Sequence, residues 1–157
     1  MTRYSFLTTW LLDAPREEVF AVIHDAERYP QWWRGVESVV ELSPGDDDGV
    51  GSLARYTWKS ALPYRLTFDM RVTRVERPHL MAGRASGELD GEGVWRLYEG
   101  PGGTAVVYSW AVGTTRPWMN AVAPLLRPAF AWNHDVVMRR GAAGLARRLN
   151  ARLLAPT

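Results

Sequence analysis

Residues 128–149, which read PAFAWNHDVVMRRGAAGLARRL, decide the fold that we expect for this chain. Apolar and small side chains recur there at steps of three and four residues, as on one side of an α-helix, and one histidine falls among them. The stripe consists of Phe130, His134, Val137, Met138, Gly141, Leu145 and Leu149. Asn133 and Asp135 border it, and arginines occupy the other side. The pattern predicts one long C-terminal helix that buries a single face.

Two prolines precede or open this stretch. Pro124 and Pro128 each remove a backbone donor and clash with the preceding helical turn. We therefore expect residues 118–127 to form a separate or kinked segment that leads into the long helix.

The rest of the chain is mostly strand-like. Alternation of apolar and polar residues predicts seven strands, at residues 4–12, 36–42, 52–60, 64–75, 80–89, 91–98 and 104–113. Two short helices are predicted after the first strand, one beginning at Asp13-Ala14-Pro15 and one at residues 27–33. Strands followed by a helix predict an α+β fold, with an antiparallel sheet that curls around the C-terminal helix. Residues 1–157 are expected to form a single domain.

Composition excludes several classes of protein. The net charge of +2 does not indicate nucleic-acid binding, and no apolar run is long enough to span a bilayer. The absence of cysteine suits a reducing cytoplasm, and the N-terminus lacks the pattern of a signal peptide, so we expect a cytoplasmic protein. Three scattered histidines without ligand spacing predict no metal site.

Four short segments resemble the helix-grip superfamily, also called SRPBCC, which includes START domains, Bet v 1 allergens and bacterial polyketide cyclase/dehydrases. They are DAPREEVF at residues 13–20, DAERYPQWW at residues 25–33, GELDG at residues 87–91 and GGT at residues 102–104. The resemblance implies a helix-grip fold, in which a curved seven-stranded sheet wraps the long helix and two short helices follow the first strand. It also implies a deep apolar cavity between sheet and helix.

Side chains predicted to face inward are mostly aromatic, which suits a flat or greasy ligand. The ligand-binding candidates are Trp10, Tyr56, Trp58, Phe68, Met70, Trp95, Trp110, Phe130, Asn133, Val137 and Met138; Tyr4, Phe6 and Leu66 share their faces. The alternative is that these rings fill a solid core. If there is a cavity, the prolines of residues 118–127 predict that it opens near that segment.

His134, Tyr108 and Arg84 are the candidates for catalysis. An imidazole can move protons near neutral pH, and its apolar surroundings predict that His134 is neutral at pH 7. The alternative is a core histidine bonded to a tyrosine or backbone oxygen. Asn133 is expected either to hold a ligand oxygen or to cap a nearby polar group.

Arg84 matters because aromatase/cyclases of the superfamily generally use an inward arginine. The strand at residues 80–89 leaves its inward face open, since Met81, Gly83 and Ala85 alternate with Arg84, Ser86 and Glu88.

The resemblance implies two alternative functions. One is a cofactor-independent bacterial cyclase/dehydratase, a lyase that folds and dehydrates a polyketide or aromatic molecule. The other is a non-catalytic carrier of a lipid, quinone or other hydrophobic ligand. In either case we expect a hydrophobic small molecule as the partner, no nucleic acid, no integral membrane association, and a monomer or homodimer.

Overall fold

The computed structural model describes residues 3–59 and 61–155. Within them the chain begins with strand β1 (Arg3–Leu12), helix α1 (Arg16–His24), a 3-10 turn (Ala26–Arg28) and helix α2 (Tyr29–Trp32). Strands β2 (Val36–Ser43), β3 (Leu53–Lys59), β4 (Arg65–Glu76), β5 (Leu80–Gly87), β6 (Leu89–Gly100) and β7 (Gly103–Thr114) follow. Helix α3 (Pro117–Leu149) and strand β8 (Leu153–Ala155) come last. Ser60, the predicted end of the third strand, lies outside the described residues.

The described strands form one antiparallel sheet in the order β2-β3-β4-β5-β6-β7-β1-β8. Strands β2 to β7 form a meander, and β1 returns to pair with β7 from Arg3 opposite Gly113 to Leu12 opposite Thr104. The predicted α+β fold, with an antiparallel sheet and a long C-terminal helix, is confirmed. The sheet has an eighth strand, β8, which the sequence analysis missed because three residues are too few to show alternation.

The C-terminal half of α3 packs against α2 through two glycines. A methyl group at Gly141 would lie 2.6 Å from the Trp33 ring, and one at Gly144 would overlap the Trp32 carbonyl oxygen. The Trp33 Nε1–H donates to the carbonyl oxygen of Val137 at 2.9 Å. The helix can therefore approach α2 closely only where its sequence supplies residues without a β-carbon.

The N-terminal half of α3 contradicts one expectation. Residues 118–127 belong to the same helix as the rest of α3, with Pro124 and Pro128 inside it, so the predicted separate segment is wrong. Both prolines are exposed, so their rings point into solvent and not into the core. On the other side of the helix Met119, Ala123 and Phe130 are buried, and their packing offsets the roughly 3 kcal/mol that a proline in a helix interior costs.

The main core lies where α1, α2 and the C-terminal half of α3 meet the sheet. Trp10, Phe20, Ile23 and Leu145 are almost fully inaccessible there. The Trp10 ring packs at 5.6 Å from Trp33, in an edge-on arrangement that aromatic pairs favour. None of the helices in residues 3–59 and 61–155 is long and apolar enough to cross a membrane.

Candidate functional site

A cavity of about 460 Å³ lies between the inner face of the sheet and α3. Its wall includes small residues on the inner faces of β5 and β6. Gly83 and Gly93 are paired across these strands and both line the cavity. A methyl group at Gly93 would lie 2.5 Å from the Tyr108 hydroxyl oxygen and 2.8 Å from the Trp110 ring. Gly93 therefore has no room for a larger residue unless these rings move, whereas at Gly83 a methyl group would meet the flexible end of Met70 at 2.8 Å.

Most of the predicted site residues line this cavity: Tyr56, Trp58, Phe68, Met70, Trp95, Tyr108, Trp110, Phe130, Asn133, His134, Val137 and Met138. Trp10 is buried, but it lies in the core beside Trp33 and Trp95 and is not part of the wall. The described structure therefore brings together residues from four strands and from α3.

Arg84 lies outside the cavity. Strand β5 turns Met81 and Ala85 inward, and the Arg84 side chain is half exposed on the outer face. Its Nη2 donates to Asp90 Oδ1 at 3.1 Å. The structure thus decides which face of β5 points inward, and that face does not carry the arginine. The predicted catalytic set reduces to His134 and Tyr108.

The cavity wall contains parallel aromatic rings. The Trp95 and Tyr108 rings stack with centroids 4.0 Å apart, and Tyr56 stacks on Phe68 at 5.6 Å. The Tyr108 ring also stacks on the Trp110 ring, with centroids 5.8 Å apart. Such a wall offers broad, flat, apolar surfaces to a ligand, with phenol hydroxyls as polar tips.

His134 is the most unusual polar group in the wall. Its ring stacks on Phe6 at 3.9 Å, and neither ring nitrogen has a hydrogen-bond partner within residues 3–59 and 61–155. Asp135 Oδ1 is 3.9 Å from Nδ1, too far for a hydrogen bond. Burial lowers the pKa of His134 to about 4, and the Asp135 carboxylate opposes this only in part. The imidazole is therefore neutral at pH 7, as the sequence predicted.

Asn133 lines the cavity, but its oxygen is already engaged. Oδ1 accepts hydrogen bonds from the backbone N–H of Ala61 at 2.8 Å and of Leu62 at 3.3 Å. The side chain thus ties the β3–β4 loop to α3. Of the two roles expected for Asn133, the contacts favour capping a nearby polar group.

Tyr56, Tyr108 and Trp58 bring further donor groups to the cavity wall. Burial raises the pKa of both Tyr56 and Tyr108, and the nearby Tyr56 phenol adds a smaller increase at Tyr108, so both hydroxyls stay protonated. The indole N–H of Trp58 is buried without an acceptor in the described part of the chain. The two phenols can donate to ligand oxygens. The Trp58 N–H is itself inaccessible in the empty cavity.

Further polar residues of the lining come from the end of α1, the 3-10 turn, β2 and the β2–β3 loop. They include His24, Glu27, Glu41 and Asp46. His24 Nε2 is 2.6 Å from the carbonyl oxygen of Asp48, which holds the loop against the end of α1. The segment at residues 118–127 contributes the buried Met119 to the wall, and the opening expected there stays a prediction.

Sequence reasoning missed Trp33, Met81, Gly83 and Gly93 as parts of the wall. The glycines could have been found, since small residues recur at alternate positions of β5 and β6. No sequence pattern indicated Trp33, because it follows the two short helices, which we expected only to support the fold. Within the described ranges no three His, Asp or Glu side chains come together closely enough to hold a metal ion.

Comparisons with known structures agree with this architecture. The Zhui aromatase/cyclase from a Streptomyces species superposes with a TM-score of 0.77 at 16% identity, over 95% of this chain and 94% of that one. A START superfamily protein from Mycobacterium smegmatis gives a TM-score of 0.72 at 17% identity, over 94% and 97%.

The di-domain ARO/CYC protein BexL gives a TM-score of 0.75 at 18% identity, over 96% of this chain. This chain spans about half of BexL, namely 51% of its length. At these identities the likeness shows the fold alone.

No curated protein matches the sequence closely enough to indicate a relative. A family model, however, matches residues 5–150, almost the whole chain, under the description "Polyketide cyclase / dehydrase and lipid transport". The chain therefore belongs to the polyketide cyclase/dehydrase and lipid transport family.

Proposed function

We propose that this protein binds a flat, mostly apolar polyketide or aromatic molecule in the cavity and promotes its cyclisation and dehydration without a cofactor. The observation that carries the proposal is His134, a buried imidazole in the cavity wall whose two nitrogens have no partner in the described residues. A buried polar group without a hydrogen bond costs free energy. Both nitrogens are inaccessible in the empty cavity, so a ligand recovers that cost only if neighbouring side chains shift to expose them. Such a ligand must carry oxygen substituents, which a pure hydrocarbon lacks.

The chemistry would use the neutral ring as a base. His134 would take a proton from a carbon between two carbonyl groups, and the resulting carbanion would attack a third carbonyl carbon to form the new C–C bond. Tyr108 is the candidate hydrogen-bond donor to the oxygen that becomes negative. The imidazolium would return its proton to that oxygen, giving an alcohol. Removal of a second proton by His134, followed by its transfer to the departing hydroxyl, would release water.

A second candidate, a non-catalytic carrier, is favoured by the charges around the cavity. No arginine or lysine of residues 3–59 and 61–155 lines it, so no cationic side chain is available to stabilise an oxyanion. A pKa of about 4 also makes the empty-site imidazole a weak base at neutral pH. Both facts suit a site that orients and shields a ligand without reacting with it.

Native mass spectrometry of the purified protein, followed by identification of the co-purified molecule, tests whether the cavity holds a ligand. His134→Gln then separates the two candidates, because glutamine keeps approximate size and hydrogen bonding but cannot relay protons. For a cyclase, turnover should fall about 10²–10⁴-fold while affinity changes little.

For a carrier, no turnover is measurable with either protein, and affinity changes modestly. His79→Gln, at an exposed turn, is the control for loss of an imidazole elsewhere. Unchanged turnover in His134→Gln would remove this residue from catalysis.

A further inference from the structure

The outer side of α3 carries an apolar stripe whose largest side chains are exposed, although Trp118 also packs edge-on against Tyr64 with ring centroids 5.7 Å apart. Trp118, Ala121, Leu125, Ala129, Trp132 and Val136 recur at steps of three and four residues, on the side opposite the buried Met119 and Phe130. Leu125 is 84% exposed, and Trp118 and Trp132 are 45% and 53% exposed. Scattered exposed apolar residues are normal on a protein surface, but a continuous stripe marks a contact surface.

The same side of the helix becomes cationic toward the C-terminus. Arg139 follows Val136 by three residues, and Arg147 lies eight residues further on the same side of the helix. Helix α3 contains five arginines and a single acidic residue, Asp135. None of these arginines forms an ion pair with a carboxylate in the described part of the chain.

Arginines on the sheet behave differently. Arg55 pairs with Asp69 at 2.8 Å, and Arg65 pairs with Glu37 at 2.7 Å. Arg139 and Arg147 of α3 thus have no carboxylate partner in the described residues and can meet an external anion. Arg127 is already engaged, because it donates to the Arg3 carbonyl oxygen at 3.1 Å and lies over the Tyr4 ring.

We propose that α3 is a membrane-docking surface that binds the face of an anionic lipid bilayer. Its apolar half would enter the interface between headgroups and acyl chains, with Trp118 and Trp132 at the depth that tryptophan prefers. Arg139 and Arg147 would contact lipid phosphates. A second copy of this chain fits less well, because its own α3 offers Asp135 as the sole carboxylate to these arginines.

This surface is distinct from the cavity, yet the two share one helix. Phe130 and His134 line the cavity from the inner side of α3, while Leu125 and Trp132 face outward. Docking through α3 would hold the ligand cavity directly above the bilayer. The inference does not depend on whether the cavity catalyses a reaction.

Flotation with lipid vesicles tests the proposal on the full-length protein. Vesicles of phosphatidylcholine alone are compared with vesicles that also contain phosphatidylglycerol, at low and high salt. We expect binding to the anionic vesicles, weakened by salt because the arginine contribution is screened. Absence of binding to anionic vesicles at low salt overturns the proposal.

Two pairs of variants locate the contact. Leu125→Gln should weaken vesicle binding about tenfold, because an apolar side chain no longer leaves water. Leu7→Gln is the matched control, since Leu7 is 72% exposed but lies on β1. The double variant Arg139→Gln, Arg147→Gln should weaken binding by about fivefold per arginine and reduce its salt dependence. The double variant Arg55→Gln, Arg74→Gln is the matched control, because it removes two positive charges from the sheet.

Equal losses in a variant and its control would overturn the assignment to α3. So would sedimentation showing a wild-type dimer that Leu125→Gln converts to monomer, because the stripe would then bind a second copy. All the substituted side chains are largely exposed, and circular dichroism verifies that each variant is folded.

Discussion

Replacing His134 with glutamine should change how the stability of this protein depends on pH. Burial lowers the pKa of the imidazole from 6.5 to about 4 in the folded protein, and the side chain is only 13% exposed, so solvent screens little of the effect. Between these pH values the unfolded chain binds a proton that the folded chain does not. The free energy of unfolding therefore falls as the pH falls.

The size of this effect follows from the two pKa values. A difference of one pKa unit corresponds to about 1.4 kcal/mol, so the gap between 6.5 and about 4 corresponds to about 3 kcal/mol. Above pH 6.5 both states are neutral at this residue and the penalty is absent. It grows as the pH falls through the unfolded-state value and is complete near pH 4.

Urea unfolding of wild type and His134→Gln, at a series of pH values from neutral to about 4, measures the difference directly. Other groups titrate equally in both proteins, so the difference between their free energies of unfolding isolates His134. Relative to the variant, wild type should lose about 3 kcal/mol over this range. A difference that stays constant with pH would refute the buried, unpartnered imidazole. His79→Gln again shows what loss of an exposed ring does.

Three further substitutions test the cavity. Gly93→Ala should lower the affinity for a flat aromatic dye at least tenfold, because its methyl group displaces the Tyr108 ring into the cavity; Gly102→Ala, which meets no atom within 4 Å, should not. Asn133→Ala should reduce the free energy of unfolding by about 1–3 kcal/mol in urea, since two loop N–H groups lose their acceptor. Arg84→Gln should leave dye binding unchanged and cost at most about 1 kcal/mol of stability, and a large loss of binding would contradict its place outside the cavity.

A carrier and an enzyme both need a cavity that holds the ligand, but only the enzyme needs a side chain that transfers protons. A bound ligand that donates to His134 stabilises the neutral ring and holds its pKa low, which suits a carrier. A ligand that develops negative charge beside the ring would raise its pKa toward neutrality, as catalysis requires. Titration of His134 by NMR, with and without the identified ligand, distinguishes these cases.

Periodicity was sufficient for the main elements. The stripe from Phe130 to Leu149 predicted α3, and the regular alternation of β4 predicted both the strand and its inward residues, Leu66, Phe68 and Met70. Such patterns are local, because burial of one face repeats at a fixed step along the chain. The prolines were misjudged because the packing of the inner face, which offsets their cost, comes from distant strands.

The sequence by itself determined the order of the elements, the antiparallel sheet, the long C-terminal helix and the neutral imidazole on the inner face of that helix. Only the tertiary structure decided which face of β5 points inward, since glycine and alanine carry too little hydrophobicity to orient a strand. It alone brought Phe6 onto His134 and the β3–β4 loop onto Asn133. Those contacts join residues that lie far apart in the chain, and no local pattern records which distant group will fill the space beside a side chain.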